Sequence, residues 1–135
     1  NSGYRMEDLP LWLLLSLKGT FYAFSESLVS YTIQKGSLSH SETYERQFAL
    51  LESSYKVRKD FIRDNELECM YGHLIDEFYY NIATRIAIQY GKQKEACLFI
   101  SRIPNPDWKW QVKKILIHNK IAFSLLKFYY LRNLK

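Results

Sequence analysis

Between Met70 and Tyr90 an apolar side chain returns every four residues: Met70, Leu74, Phe78, Ile82, Ile86 and Tyr90, with Ile75 and Tyr79 beside them. An α-helix lays such a series along one face, whereas a strand alternates with a period of two. The run ends at Gly91, the residue type that closes helices in the left-handed conformation. A chain built around so long a helix folds by packing further helices against it.

The rest of the C-terminal two-thirds follows the same pattern. Ser41 followed by Tyr44, Phe48, Leu51 and Tyr55 predicts an amphipathic helix to about Arg63, interrupted by Asp64-Asn65. A shorter helix is expected over about residues 93–102. Ile103-Pro104-Asn105-Pro106 breaks the chain, and Asp107 caps a final helix expected to run through about Leu134.

The first forty residues differ. An acidic residue before an apolar run, with Pro10 in the first turn, opens a helix that runs to about Lys18 and stops at Gly19. Its interior, Leu11-Trp12-Leu13-Leu14-Leu15-Ser16-Leu17, is apolar on nearly every face, so such a helix has to be covered on all sides. Thr20–Phe24 and Leu28–Ile33, joined by Ser25-Glu26-Ser27, are rich in aromatic and β-branched residues and predict a pair of strands. The expected fold is mainly α, four to five helices with a short two-stranded β element near the N-terminus. Residues 1–40 and 41–135 form its two parts.

Composition narrows the class of protein. With 135 residues and 47% apolar content the chain can bury a core of its own. Cys69 and Cys97 have no CxxC spacing, which argues against a zinc site or a disulfide scaffold and fits two semi-buried thiols in a reducing cytoplasm. The longest nearly apolar stretch, Leu9 to Leu17, falls well short of the ~20 residues of a membrane helix. The net charge of +5 is unevenly placed. After Asp107 there are seven Lys and Arg and no acid; the remaining twelve basic residues and all fourteen acids leave residues 1–107 at −2.

Glu7-Asp8 at a helix start is, by itself, what capping and the helix dipole produce. Its context is more specific. Gly3-Tyr4-Arg5-Met6-Glu7-Asp8-Leu9-Pro10-Leu11-Trp12-Leu13 is followed by Lys18-Gly19-Thr20-Phe21-Tyr22. Glu26-Ser27-Leu28-Val29-Ser30-Tyr31 and Gly36-Ser37-Leu38-Ser39 come next. This order resembles the end of the catalytic core of family 2 glycosyltransferases of the GT-A type, particularly bacterial enzymes that build capsular or surface polysaccharide. It covers residues 3–39 and fades beyond them.

The resemblance implies that the chain is the C-terminal fragment of an inverting transferase acting on a nucleotide sugar and a saccharide or lipid-linked acceptor. Asp8 would be the catalytic base and Glu7 would orient it or the acceptor. Trp12 is either a sugar-stacking platform on the acceptor side or a core side chain. Where the family often has Arg and His after the second strand, this chain has Thr32 and Gln34, which leaves Lys35 to meet the donor diphosphate. The resemblance also implies Mg or Mn in the full-length enzyme. That ion is held by an Asp-x-Asp pair which this chain lacks, so the fragment alone is expected to have no cofactor and no activity.

Residues 108–135 combine aromatic and aliphatic side chains with seven basic ones. Two readings stand: peripheral contact with the inner face of an anionic membrane, or a helix packed on the helical part with a solvated lysine face. The alternative to the transferase is a non-catalytic helical interaction module, and self-association is compatible with either. Nucleic-acid binding is not expected, because the rest of the chain is acidic and no binding motif occurs.

Overall fold

The computed structural model describes residues 8–27, 29–30 and 43–132. Among them are six α-helices: α1 (Asp8–Ser16), α2 (Tyr44–Asp64), α3 (Glu68–Gln89), α4 (Gln93–Ile100), α5 (Trp108–His118) and α6 (Lys120–Arg132). The mainly helical class is thus as expected. The two-stranded element is not seen among the described residues: residues 20–24 form no strand, and Leu28 and residues 31–33 of the second expected strand lie outside them. The chain divides into two compact units, Asn1–Glu66 and Leu67–Lys135.

In the first unit α1 packs against α2. Thr43 caps α2, its Oγ1 accepting from the Arg46 N–H at 3.4 Å. Tyr44 and Phe48, one turn apart, stack with ring centroids 5.5 Å apart. Leu51, Ser54, Val57 and Ile62 are buried along one stripe of α2. The Ser54 hydroxyl and carbonyl both accept from the Arg58 guanidinium, whose burial lowers its pKa from the usual arginine value. At the helix end Arg63 lies 2.7 Å from Asp60 and 3.4 Å from Asp64, and the hydrogen bond to Asp60 raises its pKa.

The second unit is a helical cluster in which α3 packs on α4 and α6, α4 on α5, and α5 on α6. Its core is made of Tyr79, Ala83, Ile86, Ala87 and Ile88 of α3, Ala96, Phe99 and Ile100 of α4, Ile103, Ile117 of α5 and Phe123 of α6. Ile88 and Ile117 are fully buried, and each such side chain contributes about 1.5–3 kcal/mol. Thr84, also in the core, is satisfied by donating to the Tyr80 carbonyl at 2.7 Å. The α3 face that the four-residue period picks out is therefore the core face only in its second half. Met70, Leu74 and Phe78 are exposed.

The helix ends are closed by specific residues. Gly91 takes φ +71°. Its N–H bonds the Ile88 carbonyl at 3.0 Å and the Lys92 N–H bonds the Ala87 carbonyl at 2.8 Å, the pair of bonds that defines a Schellman closure. Asp107 caps α5, with Oδ1 accepting from the Trp110 N–H at 3.0 Å. The single final helix expected from the sequence is two. Asn119 is the C-cap of α5, and its Oδ1 accepts from the N–H groups of Ile121 at 2.9 Å and Ala122 at 3.1 Å, opening α6. A side chain that satisfies the first amides of a new helix competes with continuing the old one, and Asn does this well.

Candidate functional site

Asp8 is the first residue of α1, and its side chain is exposed. A carboxylate there stands beside the N–H groups of the first turn, which have no partner within the helix. Glu7 and Lys35 lie outside the described residues. Trp12 is 53% exposed and meets Phe21 edge to face, with ring centroids 5.8 Å apart. It is not a core side chain among the described residues. Its ring and the Asp8 carboxyl belong to successive turns of one helix, so the helix itself fixes their spacing.

No residue of α1 is buried. Leu11, Leu14, Leu15 and Leu17 are exposed together with Trp12, and Phe21, Tyr22 and Phe24 extend the apolar surface. Soluble monomers rarely show contiguous apolar surface of this kind unless something binds to it.

The second unit holds a cleft of about 490 Å³ between α3, α5 and α6, lined by Phe78, Asn81, Ile82, Arg85, Trp110, Lys113, Tyr129 and Tyr130. Lys113 Nζ sits 3.7 Å from the centroid of the Trp110 ring and 5.7 Å from that of Tyr130, while the Arg85 guanidinium carbon is 6.0 Å from the Tyr130 centroid. Two cations thus flank one tyrosine ring, held by cation–π attraction. Among the described residues neither Arg85 nor Lys113 pairs with a carboxylate. The side-chain oxygen of Asn81 is buried and has no hydrogen-bond partner. A second, smaller groove of about 290 Å³ is lined by Leu116, Ala122, Leu125, Leu126 and Tyr129.

The cleft is not visible in the sequence, because its residues come from three helices and only packing brings them together. One local signal was present: Trp110 and Lys113 stand three apart on a helix, the spacing that stacks a lysine on a ring. Among the described residues no group of three or more His, Cys, Asp or Glu side chains is placed to hold a metal ion, and no helix is long and apolar enough to cross a membrane. No family model matches the chain, and no curated protein or solved structure matches it.

Proposed function

We propose that this chain is the C-terminal part of an inverting GT-A type glycosyltransferase, which moves a sugar from a nucleotide-sugar donor to a saccharide or lipid-linked acceptor in surface polysaccharide synthesis. The observation that carries the reading is the ordered motif series of residues 3–39, with Asp8 standing as the first residue of α1. The uncovered leucines of α1 support it, since a helix apolar all round needs a cover and a donor-binding half would supply one.

In this reading the acceptor hydroxyl loses its proton to the Asp8 carboxylate as its oxygen bonds to the anomeric carbon. The bond from that carbon to the diphosphate breaks, and its electron pair leaves with the nucleoside diphosphate. An ordinary carboxylate is a weak base toward an alcohol, so proton removal is concerted with attack and placement matters more than pKa. Trp12, one turn along, is the ring that would stack on the acceptor sugar. Among the described residues no group of three or more His, Cys, Asp or Glu side chains is placed to hold the Mg or Mn of the full-length enzyme.

The test is Asp8→Asn in the full-length protein. Turnover should fall by about 10²-fold or more, as for loss of a general base, while nucleotide-sugar binding measured by calorimetry stays near wild type. Near-normal turnover would remove Asp8 from this role. An upstream sequence without a βαβ pattern and an Asp-x-Asp would favour the interaction module instead, for which the exposed face of α1 is the binding surface.

The same proposal sets residues 108–135 against the inner face of an anionic membrane, making the enzyme a peripheral one. Trp108, Ile115, Ile121, Leu125 and Phe128 are exposed and are interspersed with Lys109, Lys114 and Lys120, the mix of apolar and basic side chains that binds such surfaces.

A further inference from the structure

The cleft between α3, α5 and α6 has three properties that together describe a ligand. Arg85 from α3 and Lys113 from α5 bring two positive charges to one Tyr130 ring, 6.0 Å and 5.7 Å from its centroid, without a carboxylate partner among the described residues. A doubly charged phosphate can answer both, through the planar fork of the arginine and the point charge of the lysine; a carboxylate carries only one charge. Asn81 Oδ1, on the α3 wall of the same cleft, is buried with no donor. Buried polar atoms are nearly always hydrogen-bonded, so an orphaned acceptor lining a cleft calls for a donor from outside, such as a hydroxyl. The third property is the aromatic lining, on which the flat face of a sugar or cyclitol ring packs. The volume of about 490 Å³ falls within the range of small-ligand sites.

We propose that this cleft binds a phosphorylated, hydroxylated ring, with Arg85 and Lys113 holding the phosphate, Asn81 accepting from a ring hydroxyl, and Tyr130 with Trp110 forming the floor. The inference rests on the second unit alone and stands whether or not the chain belongs to a transferase. Two sources share this chemistry, a free sugar phosphate and the phosphorylated headgroup of a lipid.

The test is a heteronuclear NMR titration of the full chain that follows the Trp110 indole N–H, with galactose 1-phosphate, inorganic phosphate and galactose as separate probes. A parallel vesicle-sedimentation series compares phosphatidylcholine vesicles carrying phosphatidylinositol phosphate with ones carrying phosphatidylserine at equal charge. The expected result is that galactose 1-phosphate shifts the Trp110 signal at concentrations where galactose does nothing, and binds more tightly than inorganic phosphate. Arg85→Gln and Lys113→Gln should each weaken it by about tenfold, the effect of losing one charge-assisted hydrogen bond. Asn81→Ala should remove the preference for the sugar phosphate over inorganic phosphate while leaving phosphate binding itself. If only the vesicles discriminate, and Arg85→Gln abolishes their discrimination, the ligand is the lipid headgroup. Binding that is equal for all soluble probes and both vesicle types, or unchanged in both charge variants, overturns the proposal. Circular dichroism of each variant confirms that the helices persist.

Discussion

The side-chain amide of Gln93 donates to the main-chain carbonyl of Ile117 at 2.7 Å, tying the first turn of α4 to the last turn of α5. Carbonyls in the last turn of a helix have no partner within it, so this bond both satisfies one and fixes where two helices meet. Gln93→Ala should cost about 1 kcal/mol, the usual net value of such a bond in a part-buried place. A urea midpoint unchanged from wild type would show that water replaces the amide without loss.

Ile117 and Ile115 lie on one helix, and their fates should separate. Ile117 is 0% exposed and Ile115 is 71% exposed. Ile117→Ala should cost about 2–5 kcal/mol, whereas Ile115→Ala should stay within about 0.5 kcal/mol. Equal losses in thermal unfolding would mean that α5 does not turn Ile117 to the core and Ile115 to solvent.

Gly91 and Glu66 make a pair with opposite signs. Both have positive φ, +71° and 57°, where a side chain costs about 1–2 kcal/mol. Gly91→Ala should therefore destabilise, with the added Cβ also meeting Lys127 Nζ at 3.0 Å. Glu66→Gly should leave stability unchanged or raise it by a few tenths of a kcal/mol, the relief being offset by glycine's entropy. Chemical denaturation of both variants checks the order.

Asn119→Ala should cost about 1 kcal/mol through the lost cap, while Asn119→Asp should stay near wild type, because the charge gained at the start of α6, whose first turn holds no acidic residue, is offset by the same charge at the end of α5. The helical signal on mild heating, compared between the two variants, is the measurement.

Cys97 gives a pH dependence. Burial raises its thiol pKa, since desolvation disfavours the thiolate. The folded chain therefore holds this proton more tightly than the unfolded chain does. The stability this proton supplies is complete below the ordinary thiol value, about 8.5, and is lost as pH rises above it. Cys97→Ser should flatten this alkaline decline, and thiol labelling at mildly alkaline pH should modify the exposed Cys69 first.

Much of the helical order could be read from the residues themselves. The ends of α3, α4 and the start of α5 follow from Gly91, Pro104, Pro106 and Asp107, each acting through its own backbone preference. Asn119 escaped because apolar residues continue on both sides of it and a single capping residue leaves no gap in their rhythm. Its residue type was the signal, one of the few that can cap a helix start. Of the candidate site, the position of Asp8 at a helix start was legible because it is local. Asn81, Arg85, Lys113 and Tyr130 could not be grouped from the sequence, since which helices pack together is decided by the whole core.

Asn119 ends one helix and begins the next, so α5 and α6 are joined with no spare length. A residue added there would have to be extruded as a loop or taken into α6, and each residue taken in turns a helix by roughly 100° about its axis. Such a turn would carry Tyr130 away from Arg85 and Lys113. Chain length at this joint is thus itself a determinant of the cleft: related sequences that keep the cleft should keep this spacing free of insertions and deletions, even where the residues on either side change.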